Sequence, residues 1–171
     1  MTTPPPANYG STNGPALLRI LFMLTFAFMG ALVMLAVVAY FVAPDVVLPP
    51  VWVSLALLGV LVVAIGLSEL LLRRATPLPP NATGGQTFQA VQALHLPRMA
   101  VLEAPALIGL VTMFALPDQS FVTYLVPAVP TLIAMGLLVV PHRATLERYA
   151  KVLDGTGAHS GLADWLTGST R

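Results

Sequence analysis

VWVSLALLGVLVVAIGLSELLLRR, residues 51–74, decides the fold. Residues 51–72 carry one charge, Glu69, before Arg73 and Arg74 end the apolar run. A helix of that length covers roughly the 30 Å of a bilayer's hydrocarbon core. Period-two alternation is absent, so the stretch is not a barrel strand.

Runs of the same character fill 17–43, 97–116 and 121–140. Over the 171 residues, 57% are hydrophobic and 9% charged, and mean hydropathy is +0.84. Soluble domains carry about 25% charged residues. A chain of this size has too little interior to hide so much apolar surface, so lipid must solvate part of it. The expected fold is all-α: a four-transmembrane-helix bundle made of two helical hairpins, with short cytoplasmic amphipathic helices.

Outside the spans, residues 1–16 are polar and rich in Pro and Gly, which predicts a disordered tail. They lack the basic n-region of a signal peptide, and the apolar run that follows is too long for an h-region. Residues 154–171 read as a second flexible tail, with at most a short turn in ADWLTGSTR.

Orientation follows from the cations, because Lys and Arg resist translocation. Arg19 precedes the first span, Arg73 and Arg74 follow the second, and Arg98 precedes the third. Arg143, Arg148, Lys151 and Arg171 all follow the fourth, and neither short connector has a cation. The expectation is a multi-pass protein of the bacterial inner membrane with both termini in the cytoplasm. In each half a Pro-Asp pair, Pro44-Asp45 and Pro117-Asp118, ends the first helix. Shared helix-stop chemistry accounts for this likeness, with duplication of a hairpin as the alternative.

Two short segments look surface-lying. In 86–96, with Thr87 as N-cap, Phe88, Val91 and Leu94 share a face. In 143–153, Leu146, Tyr149 and Leu153 line one side, and Glu147 with Lys151 forms an i, i+4 pair.

Few positions can carry chemistry. Glu69 lies four residues before Arg73, which predicts a local ion pair near the headgroups. Glu103 lies five residues past Arg98, about 7 Å deeper along a helix axis. There a carboxylate needs a partner or a water defect. Arg98 is at a poor angle for it, and Arg19, Arg73 or Arg74 could reach from other helices. Pro105 cannot donate to the carbonyl of Val101, which adds an acceptor beside Glu103. Glu103, Arg98, Pro105, Glu69 and Arg73 therefore form the candidate polar locus. A helix–helix tether is the leading reading of Glu103, ahead of partner docking and of proton or ion handling. Pro127 and Pro130 free two carbonyls in the fourth span, read as a packing bend. Gly30, Gly59, Gly66, Gly109 and Gly136 are expected to give every span a close-approach point.

Other chemistries lack their residues. With no cysteine there is no disulfide, thiolate site or Cys nucleophile. His95 and His142 fall at the boundary and His159 in the tail, a poor disposition for metal or haem. No P-loop, dinucleotide fingerprint, HExxH or nucleophile–base pair occurs. No basic patch points to nucleic acid, and no cofactor is expected.

Arg98, Ala100, Glu103, Ala104, Gly109 and Leu110 resemble the third span of small four-helix bacterial membrane proteins of unknown function. FMGALVMLAVVAYF is similar to their first span, and VVPHRATLERYAKVL to their closing proline and tail helix. The resemblance covers about residues 17–153 and implies a fold without a mechanism. EAPALIGLV is also similar to the carboxylate helix of rotary ATPase proteolipid (c-type) subunits, which implies an ion-binding role for Glu103. The dense glycine run of proteolipid first helices is missing, and the acid here is shallow, so convergence accounts for that likeness. The expected role is a non-enzymatic structural or accessory subunit of a membrane complex. The alternative is translocation of a proton, ion or small solute through Glu103. The expected partners are the lipid bilayer and another protein or a second copy of the chain.

Overall fold

A computed structural model describes residues 14–79, 82–117 and 120–154. The described chain is all-helical, with α1 at Gly14–Val42, α2 at Val51–Arg73, α3 at Gly84–Ala115, α4 at Phe121–Leu138 and α5 at Arg143–Leu153. The first four are long and apolar enough to cross a membrane. Most of the tails expected at 1–16 and 154–171, and Asp118, lie outside the described residues. Gly14, assigned above to the disordered tail, already begins α1.

Each end has a local cause. α1 stops two residues before Pro44 and α3 two residues before Pro117, since a proline disfavours helix in the residue before it. α2 begins directly after Pro50, whose carbonyl accepts from the N–H groups of Val53 and Ser54. α4 is capped by Ser120, whose hydroxyl accepts from the Val122 N–H at 3.2 Å.

The segment 86–96 is not a separate helix. Thr83 and Gln86 form a capping box. From there α3 runs 32 residues, through Pro97 and Pro105. Thr87 is therefore inside the helix, and its hydroxyl donates to the Thr83 carbonyl at 3.0 Å. Pro97 removes one backbone bond without breaking the helix, because the buried stripe of Val91, Leu94, Arg98, Leu102 and Ala106 continues across it. At 1.5 Å per residue, α3 is about 48 Å long, well beyond the roughly 30 Å of a hydrocarbon core.

α3 packs most extensively against α2 and α4, and α1 lies across α3 and α4. Leu32, Met99, Leu102, Met113, Tyr124 and Met135 make the larger core. The Tyr124 hydroxyl donates to the Leu32 carbonyl at 2.7 Å, joining α4 to α1. A second core gathers Leu21, Leu72, Val91, Leu94, Leu146, Tyr149 and Leu153. It unites the start of α1, the end of α2, the first half of α3 and α5 at one end of the molecule, where the described arginines collect. α5 buries Leu146, Tyr149 and Leu153 as the sequence predicts, but Glu147 pairs with Arg143 at 2.9 Å and not with Lys151.

At the opposite end Ser120 clips the short connectors together. Its hydroxyl donates to the Asp45 carbonyl at 2.7 Å and accepts from the Val47 N–H at 3.2 Å, while the Phe121 N–H reaches the Ala43 carbonyl at 3.1 Å.

The expectation that every span has a glycine at a close approach fails. A Cβ added at Gly30, Gly59, Gly66 or Gly136 would meet open space. At Gly109 it would overlap the ring of Pro127, so α3 and α4 touch there through a glycine and a proline. Large apolar side chains such as Met23, Phe26, Phe41, Trp52 and Val62 stand exposed along α1 and α2. Water does not tolerate apolar faces of that extent, and lipid does.

Candidate functional site

Arg98 is among the largest fully buried side chains of the described residues, and it is the charged one. It falls on the apolar stripe of α3, so helical periodicity turns it inward, and a buried guanidinium must find acceptors. Its Nε donates to the carbonyl and hydroxyl of Ser68, at 3.2 and 3.1 Å. Nη1 donates to the Tyr149 hydroxyl at 3.1 Å, and Nη2 to Glu69 Oε1 at 3.0 Å. The other Glu69 oxygen accepts from Arg148 at 2.6 Å. One carboxylate from α2 thus holds an arginine from α3 and another from α5.

The expected Glu69–Arg73 pair is absent. Both residues are on α2, but Glu69 is engaged by Arg98 and Arg148, and Arg73 is exposed without an ion-pair partner among the described residues. A buried guanidinium has more to lose by going unpaired than one that water can reach, so the carboxylate goes to the buried one.

The network continues into α1. His95 is one turn before Arg98, on the same buried face. Its Nδ1 lies 3.2 Å from the Tyr149 hydroxyl and its Nε2 lies 2.9 Å from Thr25 Oγ1. The Thr25 hydroxyl donates to the Leu21 carbonyl at 2.8 Å, so it can only accept from the imidazole. That assigns the ring proton to Nε2 and leaves Nδ1 to accept from Tyr149. The hydroxyl of Tyr149 in turn accepts from Arg98. Donation therefore runs one way, from Arg98 through Tyr149, His95 and Thr25 to a backbone carbonyl of α1. Burial pushes the Tyr149 phenol above its ordinary value, and the Arg98 guanidinium opposes that shift.

Of the other candidates, Pro105 is buried within α3. Glu103 is partly buried and makes no hydrogen bond or ion pair among the described residues, since Arg98 turns to Glu69. The structure therefore joins Arg98 and Glu69 and leaves Glu103 and Arg73 outside the cluster. Sequence reasoning missed Thr25, Ser68, His95, Tyr149 and Arg148 as members. The i, i+3 spacing of His95 and Arg98 on the stripe of Val91, Leu94 and Leu102 is the signal that could have found two of them.

A cleft of about 280 Å³ opens beside this cluster, lined by Arg74 and Thr76 together with apolar residues of α2, α3 and α5. Glu103 is in the wall neither of this cleft nor of a smaller one at the opposite end, between Val47 and Pro117.

Comparison with protein-family models, curated proteins and solved structures gives no match.

Proposed function

We propose that this chain is a non-enzymatic structural or accessory component of a bacterial inner-membrane complex, with four spans paired as two hairpins in one bundle and both termini cytoplasmic. The observation that supports this reading most is how the buried polar groups are used. Arg98, Tyr149, His95, Thr25 and Ser68 are all bonded to other elements of the same chain. Groups committed to one another in this way brace helices, whereas a catalytic or transport site keeps polar atoms free for its substrate. The orientation draws on the gathering of arginines at the end that carries α5. On that side α5 serves as an amphipathic helix that seals the bundle against the headgroups.

The test is affinity purification from native membranes in mild detergent, with identification of whatever comes along. Stoichiometric co-purification with a larger membrane complex is the expected result. Recovery of the chain alone, at native expression and across several detergents, would overturn it.

A second reading rests on Glu103, a carboxyl without a partner among the described residues in a helix apolar enough to span. Proton or ion translocation through Glu103 predicts a flux in liposomes containing only this chain, abolished by Glu103→Gln. Absence of flux removes that reading.

A further inference from the structure

The cleft at the arginine-rich end is bounded by the end of α2, the extended stretch 75–79, the first half of α3 and the end of α5. A bond from the Leu78 N–H to the Leu153 carbonyl, 2.8 Å, holds the extended stretch against α5. Leu71, Leu94 and Leu153 give the cleft an apolar wall, and Arg74 and Thr76 are its polar side chains. Arg98, Arg143 and Arg148 each hold a carboxylate, whereas Arg74 is exposed with no ion-pair partner among the described residues. Thr76 makes no hydrogen bond among them either. The cleft therefore offers a guanidinium and a hydroxyl, with no acid in its wall. Across it, Pro97 supplies no N–H to the carbonyl of Ala93, and both residues line the cleft.

These features describe a ligand that is anionic at one point, apolar nearby, and able to donate a hydrogen bond. Depth narrows it further. Leu70, an exposed apolar residue, is one turn before Arg74, so the guanidinium stands where the apolar surface of α2 ends. Pockets for whole drug-sized ligands measure roughly 300–1,000 Å³. A cleft of about 280 Å³ accommodates a headgroup and leaves long chains outside. We propose that the cleft binds the phosphate of an anionic glycerophospholipid, with Arg74 as its ligand, Thr76 as a second donor, and the acyl chains lying along the exposed face of α2. This inference depends on the helices spanning a membrane and is independent of the accessory role, so either can fail alone.

The test is native mass spectrometry of the full chain, released from detergent with equal amounts of a phosphatidylglycerol and a phosphatidylcholine. One phosphatidylglycerol per chain is expected to be retained in preference. Arg74→Gln should lower its retention about tenfold, the loss of one charge-assisted contact. Arg73→Gln, altering a neighbour that does not line the cleft, should stay within about twofold. Ala93→Leu fills the cleft without touching charge and should also lower retention. Circular dichroism and a thermal melt confirm that each variant is folded. Equal retention of the two lipids overturns the proposal, as do equal losses in the two arginine variants or an Ala93→Leu variant that binds normally. Displacement of the lipid by millimolar inorganic phosphate overturns it in favour of a free anion. Much stronger lipid binding by a chain lacking 155–171 overturns it in favour of the tail as occupant.

Discussion

The Arg98 guanidinium donates to the Tyr149 hydroxyl at 3.1 Å, and its central carbon lies 5.4 Å from the centroid of the same ring. α3 and α5 are thereby joined through one side-chain pair. Tyr149 is fully buried, and its hydroxyl is the link between Arg98 and His95.

Tyr149→Phe keeps the ring and removes that link. The loss of a donor to His95 and an acceptor for Arg98 should destabilise the protein by about 1–3 kcal/mol, read as a lower melting temperature in detergent. The effect has a pH signature. The folded state raises the phenol's pKa, so its contribution is intact below about pH 10, the unfolded value, and is lost as pH rises through the folded one. Melts at about pH 8 and about pH 11 should show a steeper alkaline loss in the wild type than in Tyr149→Phe. Parallel alkaline losses would falsify the assignment.

Glu69→Gln removes the carboxylate shared by Arg98 and Arg148. A fully buried pair broken on one side loses about 3–5 kcal/mol; Glu69 keeps some solvent access, so about 1–3 kcal/mol is expected. Arg73→Gln, despite the i, i+4 spacing, should shift the melting temperature negligibly. The comparison is read in one series of melts, and a larger effect of Arg73→Gln would restore the local pair.

Gly109→Ala places a methyl group against the Pro127 ring, which is stiff and cannot swing aside. Overpacking of this kind destabilises by about 1–3 kcal/mol. Gly59→Ala meets open space and removes a poor helix former, so it should be neutral or gain up to about 1 kcal/mol. The order of the two melting temperatures decides the matter.

Two threonines should respond in opposite ways to the same substitution. The Thr131 hydroxyl is buried with no hydrogen-bond partner among the described residues, so Thr131→Val removes an unsatisfied group and should be neutral or stabilising. Thr25→Val strands the Nε2–H of His95 and should destabilise by about 1 kcal/mol or more. Equal responses would mean that Thr25 is not bonded to the imidazole.

Much of this fold is legible residue by residue. Runs of about twenty apolar residues must be helical in lipid, because no water is present to satisfy a free backbone. Pro44 and Pro117 stop α1 and α3 by steric clash with the residue before them, an effect of nearest neighbours. The buried face of α5 follows from the spacing of Leu146, Tyr149 and Leu153 alone. These features depend on short stretches of chain, so neighbouring residues suffice to set them.

The destiny of each charge did not follow in that way. Helical spacing offered Arg73 to Glu69, yet Glu69 is taken by Arg98 from α3 and Arg148 from α5. Five glycines looked alike in sequence, and only Gly109 meets a neighbouring helix. Residues 86–96 looked like a separate surface helix, and they are the first part of α3. Which arginine is buried, which glycine is crowded and which histidine is bonded depend on how each helix is rotated and staggered against the next. Those variables couple residues far apart in the chain, and only the tertiary structure sets them, by leaving the inward-turned guanidinium of Arg98 no water to replace Glu69.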